Sequence, residues 1–245
     1  MQFKQKIILT VIYSFILSAI NARYKNDQLL EHMIRPDGTM LQAFFTPYNR
    51  IQDVIVALID HEQESIEVAS YVFTNHAISN ALAQAQARNV DVRIIVDRST
   101  ITNNRINHEI YELARSTHLY IFKELSRGIM HNKFGIFARN IHNMSIVLTG
   151  SFNWTFSAQK YNFENIVVSN DQSLINQYHE TFKLLLEQST PAEQLLTPLS
   201  WPLSQFPVAH RNQQTVAHLV VSCKSLASWL RLALWSTIDV PNQFV

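Results

Sequence analysis

Short apolar runs alternate with longer helix-patterned segments through most of this chain, and that alternation limits the folds open to it. "LQAFF" (41–45), "SIEVASYVF" (65–73), "VDVRIIVD" (90–97) and "HLYIF" (118–122) have the length and composition of strands. Between them, "RIQDVIVALIDHEQ" places Ile51, Val54, Ile55, Leu58 and Ile59 on one helical face, and "NHAISNALAQAQARN" and "INHEIYELARS" continue the helical pattern. Two further strands, "IMHNKFGIF" and "SIVLTGS", flank the turn-like "ARNIHNM". A helix from "WTFSAQKY", the strand "FENIVVS" and a helix capped by Asp171 complete the pattern. Strands alternating with helices predict an α/β fold, a mixed and largely parallel sheet flanked by helices.

With 245 residues, 47% hydrophobic and 16% charged, the chain can bury one sizeable core. A net charge of +1 gives no general field for polyanions, so an anionic substrate needs a local cluster. The single cysteine, Cys223, excludes an internal disulfide and a cysteine-rich zinc site. Lys4 and Lys6 precede an apolar run from Ile7 to Ile20, with Ala22 at a cleavage-compatible position; residues 1–22 are expected to be a signal peptide or N-terminal anchor. Export to the periplasm or medium follows, or membrane association if the segment stays uncleaved. Residues 23–40 are expected as a linker, 41–188 as the catalytic domain and 189–245 as an extension of unknown role. No internal repeat is present, so a site needing two copies of a motif must draw on two chains.

The chemistry is concentrated in residues 130–155. In a strand, His131, Lys133, Gly135 and Phe137 share one face, so an imidazole and an ammonium project together. An imidazole can attack phosphorus or carry a proton, and an ammonium can neutralise a phosphate oxygen. Gly150, Ser151 and Asn153 lie where the next strand is expected to turn into a helix, a common setting for anion binding. Three of the four glycines, Gly128, Gly135 and Gly150, fall in or just before this region. Each half alone is a weak signal. Solvated basic pairs and polar helix caps are common.

Together the halves resemble the phospholipase D superfamily, whose motif is His-x-Lys, then Asp, then Gly-Ser-x-Asn. The resemblance runs from about Leu41 to Gln188, through "SYVFTNHAISNAL", "ARNVDVRIIVDRS", "MHNKFGIF", "TGSFNWTFSA" and "NFENIVV", and is strongest to the small single-motif branch of bacterial endonucleases and the mitochondrial cardiolipin hydrolase. It implies His131, Lys133, Ser151, Asn153 and Glu164 as catalytic residues, with no metal or cofactor, in a homodimer whose two His131 side chains share one site. Under that resemblance Glu164 orients the imidazole, and the substrate is nucleic acid or phospholipid. A catalytically silent module binding phosphate-containing ligands is the alternative. Two departures stand out: Ala138 replaces the motif's Asp, and the segment from Phe137 to Ser145 is longer than usual. Asn140 or Asn143 is expected to supply the hydrogen bonds the missing Asp would make.

Other residues have plainer expectations. Trp154 either packs or stacks on a base, Asp97 and Arg98 make local salt bridges, and Lys123, Arg127 and Lys160 are candidates to touch a polyanion. His32, His61, His76, His108, His118, His142 and His179 show no metal-ligand spacing and are expected to be surface or structural.

Overall fold

The structure is a computed structural model that describes residues 2–102, 105–123 and 128–195. Arg127, Cys223 and the apolar segment at 217–235 lie outside the described residues. The elements run α1 (Gln2–Glu31), β1 (Leu41–Phe45), α2 (Ile51–His61), β2 (Ser65–Ser70), α3 (His76–Ala87), β3 (Asp91–Asp97), β4 (Ile101–Thr102), β5 (Arg105–Ile106), α4 (His108–Ser116) and β6 (His118–Phe122). They continue with β7 (Lys133–Phe137), β8 (Ile146–Gly150), α5 (Phe156–Lys160), β9 (Asn165–Ser169), α6 (Gln172–Glu187), β10 (Ser189–Pro191) and α7 (Ala192–Leu195). The strand and helix expectations thus hold within a few residues.

Eight strands form one sheet in the order β1-β9-β8-β7-β2-β3-β6-β10, and β4 and β5 make a separate two-stranded ladder. The sheet is mixed, but its weight falls opposite to expectation. Only the β2–β3 and β3–β6 pairings are parallel; the others in the sheet are antiparallel. Parallel neighbours need a long crossover, here supplied by α3 and α4. By contrast, β7 and β8 are joined by the segment 138–145, which reverses the chain without a crossover helix.

Period-two alternation divides the core between the sheet's faces. Ile66, Val68, Val92, Ile94, Val96, Leu148 and Phe137 belong to a cluster with Val54, Ile55, Leu58, Leu82 and Ile110 from α2, α3 and α4. Ala69, Ile95, Phe134, Ile136 and Val147 instead meet Ile175 and Phe182 of α6. Asp171 caps α6 by accepting from the Leu174 N–H at 2.7 Å.

The stretch expected as a linker is structured: α1 continues to Glu31, and Leu30, Met33 and Met40 are buried in the core. Asp27 pairs with His61 of α2, and Asn26 Nδ2 donates to Asp60 at 3.0 Å. Past Gln188, β10 adds an edge strand to β6. Among the described residues, no helix is long and apolar enough to cross a membrane.

Candidate functional site

Parallel strands deliver the chain to one end of the sheet, and β7 starts there because it runs antiparallel to β2, with Ser70 opposite Lys133. His131 lies just before this strand rather than in it, exposed, and the Tyr71 N–H donates to the Asn132 carbonyl at 2.9 Å. Tyr71 joins the pair: its ring centroid is 4.7 Å from that of His131, and Lys133 Nζ lies 5.3 Å from it. Lys133 Nζ also donates to the His131 carbonyl at 2.6 Å. Unlike its neighbour, Lys133 is buried, 6% exposed. Burial lowers its pKa below the ordinary lysine value of 10.5, while the negative charge of Glu164 pulls the other way. Pairing of Phe134 with Thr149 and of Gly150 with Ile166 brings the two motif halves to one end of the sheet.

The second half is built on a close backbone approach. The Ser151 N–H donates to the Asn165 carbonyl at 3.0 Å, and the Asn165 N–H donates back to Ser151 Oγ at 3.1 Å. Ser151 Oγ donates to Glu164 Oε2 at 2.5 Å, and Asn162 Nδ2 to Glu164 Oε1 at 3.0 Å. Within the chain, Glu164 has Ser151 and Asn162 as hydrogen-bond partners. Thr46 fixes its backbone, accepting from the Glu164 N–H at 2.9 Å and donating its own N–H to the Glu164 carbonyl at 3.0 Å.

Asn153 lies on the same turn with Oδ1 buried and without a hydrogen-bond partner. A buried polar atom left unpaired is costly, and a ligand is one way to satisfy it. The turn is not the expected helix N-terminus. The helix starts only at Phe156: Trp154 bridges to Phe73, and Thr155 takes the cap by accepting from the Ala158 N–H at 3.1 Å. Trp154 is fully buried against Phe73, with ring centroids 5.7 Å apart, so it packs and does not stack on a base.

At Ala138, support comes from elsewhere. Glu62, buried at the end of α2, accepts from the backbone N–H groups of Glu64, Ser65 and Arg139 at 3.0, 3.1 and 2.8 Å. Asn140 Nδ2 donates to the Leu58 carbonyl at 2.7 Å and to Glu62 Oε2 at 3.2 Å. Asn143 contributes a backbone N–H to the Asn140 carbonyl. Glu62→Ala would leave three N–H groups without their acceptor and should destabilise the fold by about 3 kcal/mol or more, whereas Glu62→Gln keeps an acceptor oxygen and should lose less. Denaturant unfolding of both variants checks this; equal losses would refute the bracing role.

Asp97 does not pair with Arg98. Its carboxylate accepts from the Ser99 N–H and, at 2.8 Å, from the N–H of Met130, the residue before His131. Lys160 lies over the rings of Phe156 and Tyr161, at 5.4 and 5.2 Å.

The chain matches the family model described as cardiolipin synthase, PLD-like domain, over residues 55–186. It belongs to the phospholipase D superfamily. A protein named phospholipase D from Rickettsia conorii is 33% identical over 67% of this chain and 76% of its own. The mitochondrial cardiolipin hydrolase of Xenopus tropicalis is 30% identical over 56% of this chain and 62% of its own. Among solved structures, the phospholipase D family member Nuc from Salmonella typhimurium superposes with a TM-score of 0.56 at 28% identity, covering 62% of this chain and 97% of that one. The protein is thus a phosphodiesterase of the superfamily, a hydrolase.

Because burial depresses the Lys133 pKa, the unfolded chain binds more protons between that lowered value and 10.5, so stability rises with pH across the window. Lys133→Met should therefore keep or gain stability at pH 7, with its advantage shrinking as the pH approaches 10.5. Its activity should fall on the order of 100- to 1,000-fold, the loss expected of the lysine that the resemblance places at a phosphate oxygen. Unfolding curves at several pH values, beside kcat/KM, test both parts.

Proposed function

We propose that this protein is an endonuclease that cuts nucleic acid through a phosphohistidine. The carrying observation is the pairing of β7 with β8 and of β8 with β9, which sets the start of β7, with Lys133 and the exposed His131, near the Ser151–Glu164 hydrogen bond. In the first step a His131 ring nitrogen bonds to phosphorus as the bond to the leaving oxygen breaks, and a second imidazole gives that oxygen its proton. In the second step that imidazole takes a proton from water, whose oxygen displaces the histidine and frees the phosphate end. The second imidazole is His131 of another copy, in a homodimer sharing one site. Lys133 and Asn153 hold the non-bridging oxygens. Ser151 and Asn162 hold Glu164, which in turn supports the Lys133 charge. The residues of this scheme supply the positive charge without a metal.

Nucleic acid is favoured by a cleft of about 390 Å³ beside Glu164, lined by Phe45, Tyr48 and Phe163, all more than half exposed. Exposed rings offer stacking surfaces to unpaired bases. A phospholipid diester is the second reading, supported by the names of the Rickettsia and Xenopus relatives. Export, read from the apolar run at residues 7–20, forms part of the same proposal. A chelated assay on labelled single-stranded DNA and on cardiolipin vesicles, run in parallel, separates these readings. Cleavage of DNA alone is expected; cleavage of vesicles alone would replace nuclease by lipase, and cleavage of neither by a folded dimer would leave a binding module.

A further inference from the structure

The dipeptide Asn-His opens two helices. Asn75 caps α3 by accepting from the Ile78 N–H at 3.2 Å, and Asn107 caps α4 by accepting from the Ile110 N–H at 2.9 Å. His76 and His108 are thus the first residues of helices that begin beyond the C-terminal ends of neighbouring parallel strands, β2 and β3. Residues 32 apart in sequence meet for that reason: the two imidazole centroids are 6.3 Å apart. Glu109 completes the group, with its Oε1 4.0 Å from His108 Nδ1. One ligand atom from each of the three lies within 4.8 Å of the others. Asn107 also anchors this corner, since its Nδ2 donates to the Phe73 carbonyl at 2.9 Å.

We propose that His76, His108 and Glu109 form a binding site for a zinc-class divalent ion. Two imidazoles and a carboxylate suit borderline ions such as Zn²⁺, which bind three protein ligands with water completing the shell; Ca²⁺ and Mg²⁺ prefer all-oxygen sites. Adjacent ligands of a tetrahedral zinc, at bonds of about 2.0 Å, lie about 3.3 Å apart. The side chain of His76 is exposed and can close the remaining distance by rotation about its χ angles. None of the three belongs to the proposed phosphodiesterase machinery, so the ion acts as a clamp between the starts of α3 and α4. Its binding adds to stability because the folded chain alone gathers the ligands.

The test uses the full chain carrying His131→Ala, stripped with chelator, so that the catalytic imidazole is not a competing ligand. Titration calorimetry with Zn²⁺ should give one ion per chain and an upward shift in Tm, with no binding of Mg²⁺. In the same background, His76→Gln and His108→Gln should each weaken Zn²⁺ binding on the order of 100-fold while the fold, followed by circular dichroism, persists. Substituting Co²⁺ should give an absorption band of low-symmetry coordination that both variants lose. Absence of Zn²⁺ binding, or affinity unchanged in whichever histidine variant folds, would overturn the proposal.

Discussion

His131→Ala should lower turnover about ten-thousand-fold or more on any phosphodiester the protein cleaves, while its unfolding free energy stays within about 0.5 kcal/mol of the parent. The asymmetry follows from where the side chain sits. Its imidazole is exposed and touches the Tyr71 ring, so the core loses little when it is removed. The chemistry loses its nucleophile and, in a shared site, its general acid as well. Mixing this variant with Asn153→Ala tests the sharing, because a mixed dimer cannot regain two His131 side chains and activity should not recover. Steady-state rates with parallel unfolding curves check the first expectation, and recovery in the mixture would argue against the two-histidine scheme.

Gly150→Ala should be the most damaging small substitution for stability, at about 2–4 kcal/mol, with at least a tenfold loss of activity. A Cβ at this position would lie 2.1 Å from the Asn165 carbonyl oxygen and 2.8 Å from the Ile166 Cα. Those backbone atoms cannot yield easily. Gly150 is paired with Ile166 in the β8–β9 ladder, and the Ser151 N–H donates to the same Asn165 oxygen. Separating the strands would pull Ser151 away from Glu164, which carries the loss into the site. Gly135→Ala offers a contrast, because its Cβ would first meet the Trp154 Cη2 at 3.3 Å, a side-chain contact able to give. Its cost should be visibly smaller in denaturant unfolding; equal costs would mean that the strand approach at Gly150 is not the constraint.

Much of this could be read from residue patterns because the strong signals were periodic. The α2 face of Ile51, Val54, Ile55, Leu58 and Ile59 is buried as its spacing predicted. The His-x-Lys and Gly-Ser-x-Asn halves do lie near one another. What escaped was set by long-range partners. Strand direction was misweighted because a run such as "HLYIF" has the same pattern in either orientation. Tyr71 and Thr46 are ordinary strand-end residues until the sheet places them beside His131 and Glu164. Glu62, too, resembles a surface carboxylate after a helix, and only folding brings the Arg139 N–H to it. His76 and His108 carried a local sign, the repeated Asn-His at helix starts, but their meeting depends on two parallel strands being neighbours.

The central claim is covalent catalysis at His131, and the direct test is to trap the intermediate. Bis(p-nitrophenyl) phosphate would be mixed with enzyme in chelator, quenched in alkali within the first turnover and digested for mass spectrometry. The account predicts a burst of p-nitrophenolate and a nitrophenylphosphoryl adduct on the peptide carrying His131, absent from His131→Ala. Turnover with no adduct at His131, or with an adduct that persists in the variant, would contradict it.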